Sequence, residues 1–233
     1  MNVALVLAAG SGTRMEINQP KQFVIVNGKP LFIYSVETFQ NNPKIDAIVI
    51  VTQGPYVEQV KVLCAEYNLS KVKLVAIGGE SRKDSVFNGL QAISKLVRSM
   101  RDIVLIHDSA RPLVSERIIN DNILLCERYG AVGTYIQAED TIVKSQNGDK
   151  LEGILNRQEI YQAQTPQTFE FGIIREAHNL ALVNGIPNVT DDCQLAMRFG
   201  NDVYFVEGEK TNFKVTTPQD LELFEAIVKN RLL

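Results

Sequence analysis

The residues of this chain that are best placed to do chemistry lie between positions 3 and 21. An apolar run at residues 3–8 leads into four small residues, Ala-Gly-Ser-Gly at 9–12, and two cations follow, Arg14 and Lys21. In a turn of small residues, backbone N–H groups can converge on phosphate oxygens because no side chain blocks the approach. The two cations would neutralise the same oxygens. This stretch therefore predicts a site for a triphosphate.

Two other glycine motifs that bind phosphates do not match this stretch. The dinucleotide-binding fingerprint requires a third glycine where this chain has Met15. The P-loop pattern also fails, since no Gly-Lys-Ser/Thr follows four residues after a glycine. An NAD(P)-dependent dehydrogenase is therefore disfavoured, whereas an ordinary tight turn remains an alternative on the Gly-x-Gly spacing alone.

A second candidate site follows the apolar run at residues 103–106. Asp108 comes at the tip of this predicted strand, where a buried carboxylate is costly unless it binds a cation or a hydroxyl donor. Asp108 could therefore coordinate Mg²⁺ or hold a substrate hydroxyl, and Arg111 could form a salt bridge to it. A purely structural Asp–Arg pair is the alternative. We expect His107 to be a structural histidine.

The strand ends are expected to meet at one edge of the sheet. In an open parallel sheet, ligands bind at the carboxyl ends of the strands. Residues 8–15, 78–85 and 107–112 all emerge there, so they are predicted to form a common site. Gly79 would let a nucleobase approach the backbone, although an ordinary turn explains the glycines at 78 and 79 equally well.

The elements that must position these residues alternate along the first 130 residues. Strands are predicted at residues 3–8, 45–52, 72–77 and 103–106, with helices between them. A further helix is expected to begin at the N-cap Ser115 and to end at Gly130. The alternation predicts an α/β fold, Rossmann-like, with a mostly parallel sheet and helices on both faces.

The pattern changes after residue 131. A strand at 131–136 is followed by a polar segment with Asn-Gly-Asp at 147–149, which indicates a β-hairpin. This protruding arm, at about 137–158, buries little by itself, so we expect it to pack on something such as a second subunit. Helices at about 170–184 and 191–199, a strand at 203–206 and a last helix capped by Thr217 complete the prediction. Residues 1–233 are expected to form a single domain.

The composition limits the possible classes of function. The net charge of −3 argues against sequence-independent binding of nucleic acid. No apolar run approaches the ~20 residues of a membrane span, and the start of the chain has no signal-peptide pattern. The three cysteines lie far apart, as in proteins that keep their thiols reduced. We expect a cytoplasmic protein with neither nucleic acid nor membrane as its partner.

Taken together, the motifs resemble those of the 2-C-methyl-D-erythritol 4-phosphate cytidylyltransferase and ribitol-5-phosphate cytidylyltransferase family. The opening L-A-A-G-x-G-T-R-M…P-K is followed, in the family's order, by H-D-x-A-R-P, T-P-Q, T-D-D and N-x-K-V-T-T-P-x-D-L. The resemblance spans essentially the whole chain. It implies a nucleotidyltransferase that transfers CMP from CTP to a small polyol phosphate and releases pyrophosphate.

The resemblance also implies roles for individual residues. The catalytic cations at the phosphates would be Arg14, Lys21 and Lys214. Nucleotide binding is implied for Ala8, Ala9, Gly10, Gly12, Gly79, Ser85 and Ala110. Substrate binding is implied for Asp108, Arg111, Thr141, Arg157, Thr165 and Thr190.

The same resemblance implies a cofactor and an assembly. Mg²⁺ is the expected cofactor, with Asp108 as its candidate ligand. A homodimer joined through the arm is expected, because Thr141 and Arg157 lie on the arm, which in the family reaches into the partner's site.

The sequence features that indicate the acceptor are divided between two branches of the family. The opening motif, residues 84–86 and residues 172–192 look like the methylerythritol enzymes. Residues 107–109, 115–119, 140–143 and 160–162 look like the ribitol enzymes. We expect methylerythritol phosphate, with ribitol 5-phosphate as the alternative. A non-catalytic nucleotide sensor is a third hypothesis, disfavoured because a pure binder need not keep lysines on both sides of the phosphates.

Overall fold

The computed structural model describes residues 1–10, 20–187, 189 and 191–231. The strands are β1 (Asn2–Ala8), β2 (Ile25–Val26), β3 (Lys29–Pro30), β4 (Ala47–Thr52), β5 (Val72–Ile77), β6 (Ile103–Asp108), β7 (Ala131–Gln137), β8 (Val143–Lys144), β9 (Gly153–Ile154), β10 (Tyr161–Glu170) and β11 (Tyr204–Glu207). The helices are α1 (Leu31–Asn41), α2 (Val57–Glu66), α3 (Arg82–Ile93), α4 (Glu116–Tyr129), α5 (Phe171–Val183), α6 (Asp192–Arg198) and α7 (Pro218–Arg231).

A seven-stranded sheet runs through the molecule in the order β11-β7-β10-β6-β1-β4-β5. Strand β1 pairs in parallel with both β4 and β6, β4 pairs in parallel with β5, and β7 pairs in parallel with β11. Strand β10 is antiparallel to its two neighbours, β6 and β7. The predicted mostly parallel sheet is therefore confirmed, with one antiparallel strand inside it.

Both faces of the sheet are covered, as predicted. Alternate residues of β1 point to opposite faces, so Ala4 and Val6 contribute to one core while Val3 and Leu5 contribute to the other. The first core is closed by α1, α2 and α4, and the second by α3, α5 and α6. This two-sided burial explains why β1 is a continuous apolar run rather than an alternating one.

Both predicted ends of α4 and the predicted start of α7 are confirmed. Ser115 accepts a hydrogen bond from the backbone of Ile118 at the start of α4, and Gly130 ends that helix with a left-handed φ of 80°. At the start of α7, the Thr217 hydroxyl accepts from the backbone N–H of Asp220 and the Asp220 carboxylate accepts from that of Thr217. These reciprocal bonds satisfy N–H groups that a helix leaves unpaired.

Residues 164–167, which contain the T-P-Q motif, are part of β10. This segment is polar, yet residues 164–169 are buried between β6 and β7. Its polar groups find specific partners: the Thr168 hydroxyl donates to Asn122 Oδ1 at 2.9 Å, and Gln164 Nε2 donates to the Glu209 backbone oxygen at 2.8 Å. Strand β10 is therefore stabilised by its neighbours and not by apolar patterning.

The predicted hairpin is present. Strands β8 and β9 pair antiparallel with each other, with Val143 opposite Ile154, and form a small sheet separate from the main one. Both of these apolar side chains are more than half exposed. The hairpin therefore leaves apolar surface uncovered within a single copy of the chain.

The three cysteines are buried, and none of them forms a disulfide, as predicted for reduced thiols. Burial raises the pKa of Cys64 to about 11 and that of Cys126 to about 12, so both remain thiols near neutral pH. In the part of the chain that the structure describes, no helix has the length and apolar character needed to cross a membrane.

Candidate active site

A pocket of about 490 Å³ lies at the carboxyl ends of β1, β5 and β6. The three segments predicted to meet there all contribute to its wall, together with residues from the 3-10 turn at 21–23 and from the segment before α7. The predicted site residues that line it are Ala9, Gly10, Lys21, Gly79, Ser85, Asp108, Ala110 and Lys214. The predicted convergence of distant segments is confirmed.

The turn that follows β1 is held by side chains to which the sequence analysis gave no role. Gln22 Nε2 donates to the backbone oxygen of Ala8 at 2.8 Å, and Gln53 Nε2 donates to that of Ala9 at 3.0 Å. Ala8 itself is buried at the end of β1, and its neighbours Ala9 and Gly10 form the pocket wall. Two glutamines therefore fix the backbone that would face a nucleotide.

The segment at residues 78–85 is tightly folded against this turn. A Cβ atom at Gly78 would lie 2.7 Å from the Cβ of Ala9, and one at Gly79 would collide with Asp84. The backbone N–H of Gly79 donates to Ser85 Oγ at 3.1 Å. The glycines are therefore required by the close packing of this segment, and Gly79 forms part of the pocket wall.

Asp108 is the last residue of β6 and is surrounded by cations. Its Oδ2 lies 2.6 Å from Lys214 Nζ, and its Oδ1 lies 3.5 Å from Arg82 Nε. Burial by itself would raise the pKa of Asp108, but Arg82 and Lys214 outweigh it and hold this pKa well below the ordinary range. Asp108 is therefore a carboxylate at all physiological pH values.

The predicted salt bridge between Arg111 and Asp108 is wrong, because Asp108 pairs with Lys214 and Arg82 instead. Arg111 donates instead to the backbone oxygens of Asn212, at 2.7 Å, and Ala163, at 3.2 Å, so it supports the loop around the site. Arg82 was missed as the partner of Asp108. A signal was available, because a cation in the first turn of a helix is unfavourable unless a specific partner holds it.

The two predicted lysines come together from opposite ends of the chain. Lys21 Nζ donates to the backbone oxygen of Val215 at 2.9 Å, next to Lys214. Both lysines line the pocket that contains Asp108. The other predicted residues Arg14, Gly12 and Thr190 lie outside the described part of the chain.

Thr165 lies behind the pocket rather than in its lining. His107 Nε2 lies 3.1 Å from the backbone oxygen of Arg111, which can only accept, so Nε2 carries the hydrogen. His107 Nδ1 is then the acceptor for the Thr165 hydroxyl, at 3.0 Å, and the same hydroxyl accepts from the Asp108 N–H at 3.1 Å. Thr165 therefore fixes Asp108, and His107 is the structural residue that was predicted.

Two predicted substrate contacts lie on the arm and do not line the pocket of their own chain. Thr141 and Arg157 are exposed. Arg157 Nη1 donates to the backbone oxygen of Glu139 at 3.1 Å, within the base of the arm. A single copy of the chain does not bring these residues to Asp108, so their predicted role depends on a second copy.

The residues present do not fit a dedicated metal site. Both carboxylate oxygens of Asp108 face a cation. Among the described residues, no group of three or more His, Cys, Asp or Glu side chains is placed to hold a metal ion. Asp108 is therefore unsuited to the role of metal ligand that the sequence suggested.

The arrangement as a whole suits a polyanion and a hydroxylated partner. Lys21, Lys214 and Arg82 place positive charge in the pocket, and small residues form part of its wall. Asp108 is the acceptor that a hydroxyl group would use. Such a pocket can bring together two phosphorylated compounds by neutralising their mutual repulsion.

Known proteins resemble this chain over almost its whole length. A family model described as IspD: 2-C-methyl-D-erythritol 4-phosphate cytidylyltransferase matches residues 2–230. A protein of that description from Clostridium acetobutylicum is 39% identical over 231 residues, which cover 98% of each chain. A ribitol-5-phosphate cytidylyltransferase from Streptococcus agalactiae serotype III is 35% identical over 232 residues, which cover 99% of this chain and 97% of the relative.

Solved structures are similar over the same length. The 2-C-methyl-D-erythritol 4-phosphate cytidylyltransferase from Thermus thermophilus is 30% identical with a TM-score of 0.78, covering 97% of this chain and 98% of the other. The 4-diphosphocytidyl-2C-methyl-D-erythritol synthase from Anaerococcus prevotii is 28% identical with a TM-score of 0.83, covering 98% and 96%. The fold predicted from the sequence is thus the fold of these enzymes.

Proposed function

The chain belongs to the IspD family of 2-C-methyl-D-erythritol 4-phosphate cytidylyltransferases, and on that premise we propose that it transfers CMP from CTP to 2-C-methyl-D-erythritol 4-phosphate. Pyrophosphate is the second product. The observation that carries the proposal is the convergence of Lys21 and Lys214 on one pocket beside Asp108. Two lysines that come from opposite ends of the chain and line one pocket can act on the same ligand.

The reaction needs no covalent nucleophile from the protein. A phosphate oxygen of the acceptor attacks the α-phosphorus of CTP in line, and the bond to pyrophosphate breaks. The attacking oxygen is already anionic, so the barrier is mainly the repulsion between two anions. Fixed cations lower this barrier because they are in place before the charge develops. Lys21 and Lys214 fill this role in the proposal, together with Arg14.

Lys214 and Asp108 are proposed to exchange partners when the acceptor binds. In the structure they neutralise each other across 2.6 Å. A polyol phosphate carries a hydroxyl group that can donate to Asp108 and a phosphate that can accept from Lys214. Lys214 would then pair with the phosphate, while Asp108 would keep Arg82 as its cation and gain a hydrogen bond from the hydroxyl group, so neither residue is left without a partner.

The nucleotide is proposed to lie along the wall formed by residues 9–10 and 79–85. Gly10 and Gly79 have no side chain that would keep a base from the backbone, and Ser85 lies at the same wall. Backbone groups in fixed positions discriminate bases by their hydrogen-bonding pattern. Cytosine is the base proposed, in keeping with the family.

Magnesium is part of the proposal as an ion carried by the triphosphate. Mg²⁺ in nucleotide enzymes usually keeps several waters and binds substrate phosphates, so it can enter with the triphosphate without Asp108 as a ligand. When bound, it would neutralise phosphate charge. The protein's own cations, Lys21 and Lys214, act on the same oxygens from the pocket wall.

The proposed assembly is a homodimer in the cytoplasm, joined through the arm. The exposed apolar side chains of the hairpin, Val143 and Ile154, support a partner on that surface. Thr141 and Arg157 would then contact the acceptor in the partner's pocket. The buried free thiols are compatible with a reducing compartment.

Ribitol 5-phosphate is the second candidate acceptor, favoured by the 35% identical ribitol-5-phosphate cytidylyltransferase from Streptococcus agalactiae. Release of pyrophosphate from CTP separates the candidates when each acceptor is supplied alone with Mg²⁺. We expect a kcat/KM at least about tenfold higher with methylerythritol phosphate than with ribitol phosphate. The reverse preference would assign the ribitol reaction, and no release with either acceptor would contradict the proposed transfer. Parallel reactions with UTP and ATP test the choice of base.

A further inference from the structure

Arg82 joins the pocket to the start of α6. It is the first residue of α3, and its side chain is only 25% exposed. Nη1 lies 2.6 Å from Asp192 Oδ2, whereas Nε lies 3.5 Å from Asp108 Oδ1. One guanidinium therefore bridges two carboxylates from different elements, and the shorter contact is the one outside the pocket.

Asp192 is more deeply buried than the arginine that it binds. Its side chain is 3% exposed, and its second oxygen accepts from His178 Nε2 at 3.0 Å. Burial alone would raise the pKa of Asp192, but Arg82 and the His178 hydrogen bond outweigh this and hold the pKa below its ordinary value. Asp192 is thus a fixed negative charge behind the pocket.

The backbone of Asp192 is tied to the strand next to the one that carries Asp108. Its N–H donates to Gln167 Oε1 at 3.0 Å, and Gln167 Nε2 donates to Asp191 Oδ2 at 2.5 Å. Gln167 lies on β10 opposite Ile106 of β6. The location of Asp192 is therefore fixed relative to β6, and Arg82 is held between two fixed carboxylates.

We propose that Asp192, oriented by His178, is a positioning residue that fixes Arg82 and so keeps Asp108 opposite Lys214. Neither Asp192 nor His178 lines the pocket, but Asp192 contacts Arg82, which does. Without Asp192, Asp108 becomes the nearest carboxylate to Arg82, and the guanidinium draws it away from the acceptor. The inference rests on the proposed function, in which Asp108 and Lys214 contact the acceptor.

The test compares Asp192→Asn with Asp102→Asn as a matched control. Asp102 is also a carboxylate with little exposure, paired with the N-terminal amine at 2.6 Å, but it precedes β6 at the end opposite to Asp108. Both substitutions should lower Tm. We expect only Asp192→Asn to raise the KM for the acceptor, by about tenfold, with a smaller change in the KM for CTP.

A double-mutant cycle shows whether the effect passes through Arg82. If it does, adding Asp192→Asn to Arg82→Gln should change kcat/KM by less than about twofold, since the group that Asp192 positions is already gone. His178→Gln changes the residue that orients Asp192 but keeps the charges of Asp192 and Arg82. This variant should raise the acceptor KM by about threefold. It tests the positioning role even if Asp192→Asn does not fold.

The outcomes distinguish this inference from the proposed function. A wild-type protein that transfers CMP to neither acceptor would contradict the proposed function. If the wild-type protein is active, the proposed function stands. The positioning role is then overturned by any one of three results. These are equal acceptor KM values for Asp192→Asn and Asp102→Asn, independent effects in the double variant, or an unchanged acceptor KM in His178→Gln.

Discussion

Lys21 Nζ donates a hydrogen bond of 2.9 Å to the backbone oxygen of Val215, across 194 residues of sequence. The Val215 N–H donates in turn to the backbone oxygen of Ala110, at 2.8 Å. The segments that carry Lys21, Lys214 and Asp108 are therefore connected through one residue. This connection holds two cations and a carboxylate in a fixed relation before any ligand arrives, as electrostatic stabilisation of a transition state requires.

Lys21→Ala is expected to lower kcat by at least ~100-fold, as the loss of one fixed electrostatic donor does in other enzymes. The control is Lys61→Ala, which removes an exposed lysine whose pair with Glu58 lies outside the pocket. Exposed pairs of this kind contribute little, so this variant should keep its activity. Steady-state release of pyrophosphate measures both. Near-normal turnover in Lys21→Ala would remove Lys21 from the mechanism.

Asp108→Asn is expected to destabilise the protein as well as to weaken binding of the acceptor. The substitution leaves Arg82 and Lys214 without the charge between them. We expect the free energy of unfolding to fall by about 2 kcal/mol, less than for a fully buried pair because Lys214 is 36% exposed. Urea denaturation measures the change. Asp149→Asn, at the exposed tip of the hairpin, should alter stability by no more than about 0.5 kcal/mol.

The buried His107 is expected to make stability depend on pH below neutrality. Burial lowers its pKa to about 4, whereas an unfolded chain has a value of ~6.5. Above pH ~6.5 both states are neutral at this residue, so the full stability is present. Between ~6.5 and about 4 the unfolded chain binds a proton that the folded one does not. The free energy of unfolding should therefore fall with decreasing pH, by up to about 3 kcal/mol.

Urea denaturation at several pH values between 4 and 7 measures this dependence. The control is His107→Gln, which keeps a polar side chain but has no proton to bind in this range. Its unfolding free energy should change less steeply with pH than that of the wild type. Equal slopes for the two proteins would show that His107 is not the group responsible.

If the chain forms a homodimer joined through the arm, two inactive variants should complement each other. If Arg157 contacts the acceptor in the partner's pocket, a dimer of Lys21→Ala with Arg157→Ala has one pocket that combines both defects and one that has neither. Mixing equal amounts under conditions that exchange subunits should therefore restore roughly a quarter of the wild-type sites. Activity of the mixture is compared with that of each variant alone.

The complementation experiment also has a clear negative outcome. A mixture no more active than its components, although subunits exchange, would place Arg157 in the site of its own chain or outside catalysis. Mixing Lys21→Ala with Lys214→Ala is the control. Both residues lie in the pocket of one chain, so every pocket in that mixed dimer keeps a defect and activity should not return.

The amino-acid sequence by itself determined the features that depend on neighbouring residues. The apolar run of β1, the Ser115 and Gly130 ends of α4 and the Thr217 cap of α7 all follow from local backbone chemistry, and all were predicted. The ligand edge of the sheet was also predictable, because parallel strands bring their carboxyl ends together. Lys21 and Asp108 were found from their places after predicted strands, and Lys214 was found through a motif that resembles one of a known family.

Only the tertiary structure decided which distant residues meet. The polar segment that became β10 has no apolar alternation, and it is a strand because β6 and β7 supply hydrogen bonds on both sides. The pairing of Arg82 with Asp192, 110 residues apart, likewise leaves no pattern in the spacing of either residue. Such contacts depend on how the whole chain closes around its cores, whereas propensities and caps act over only a few residues.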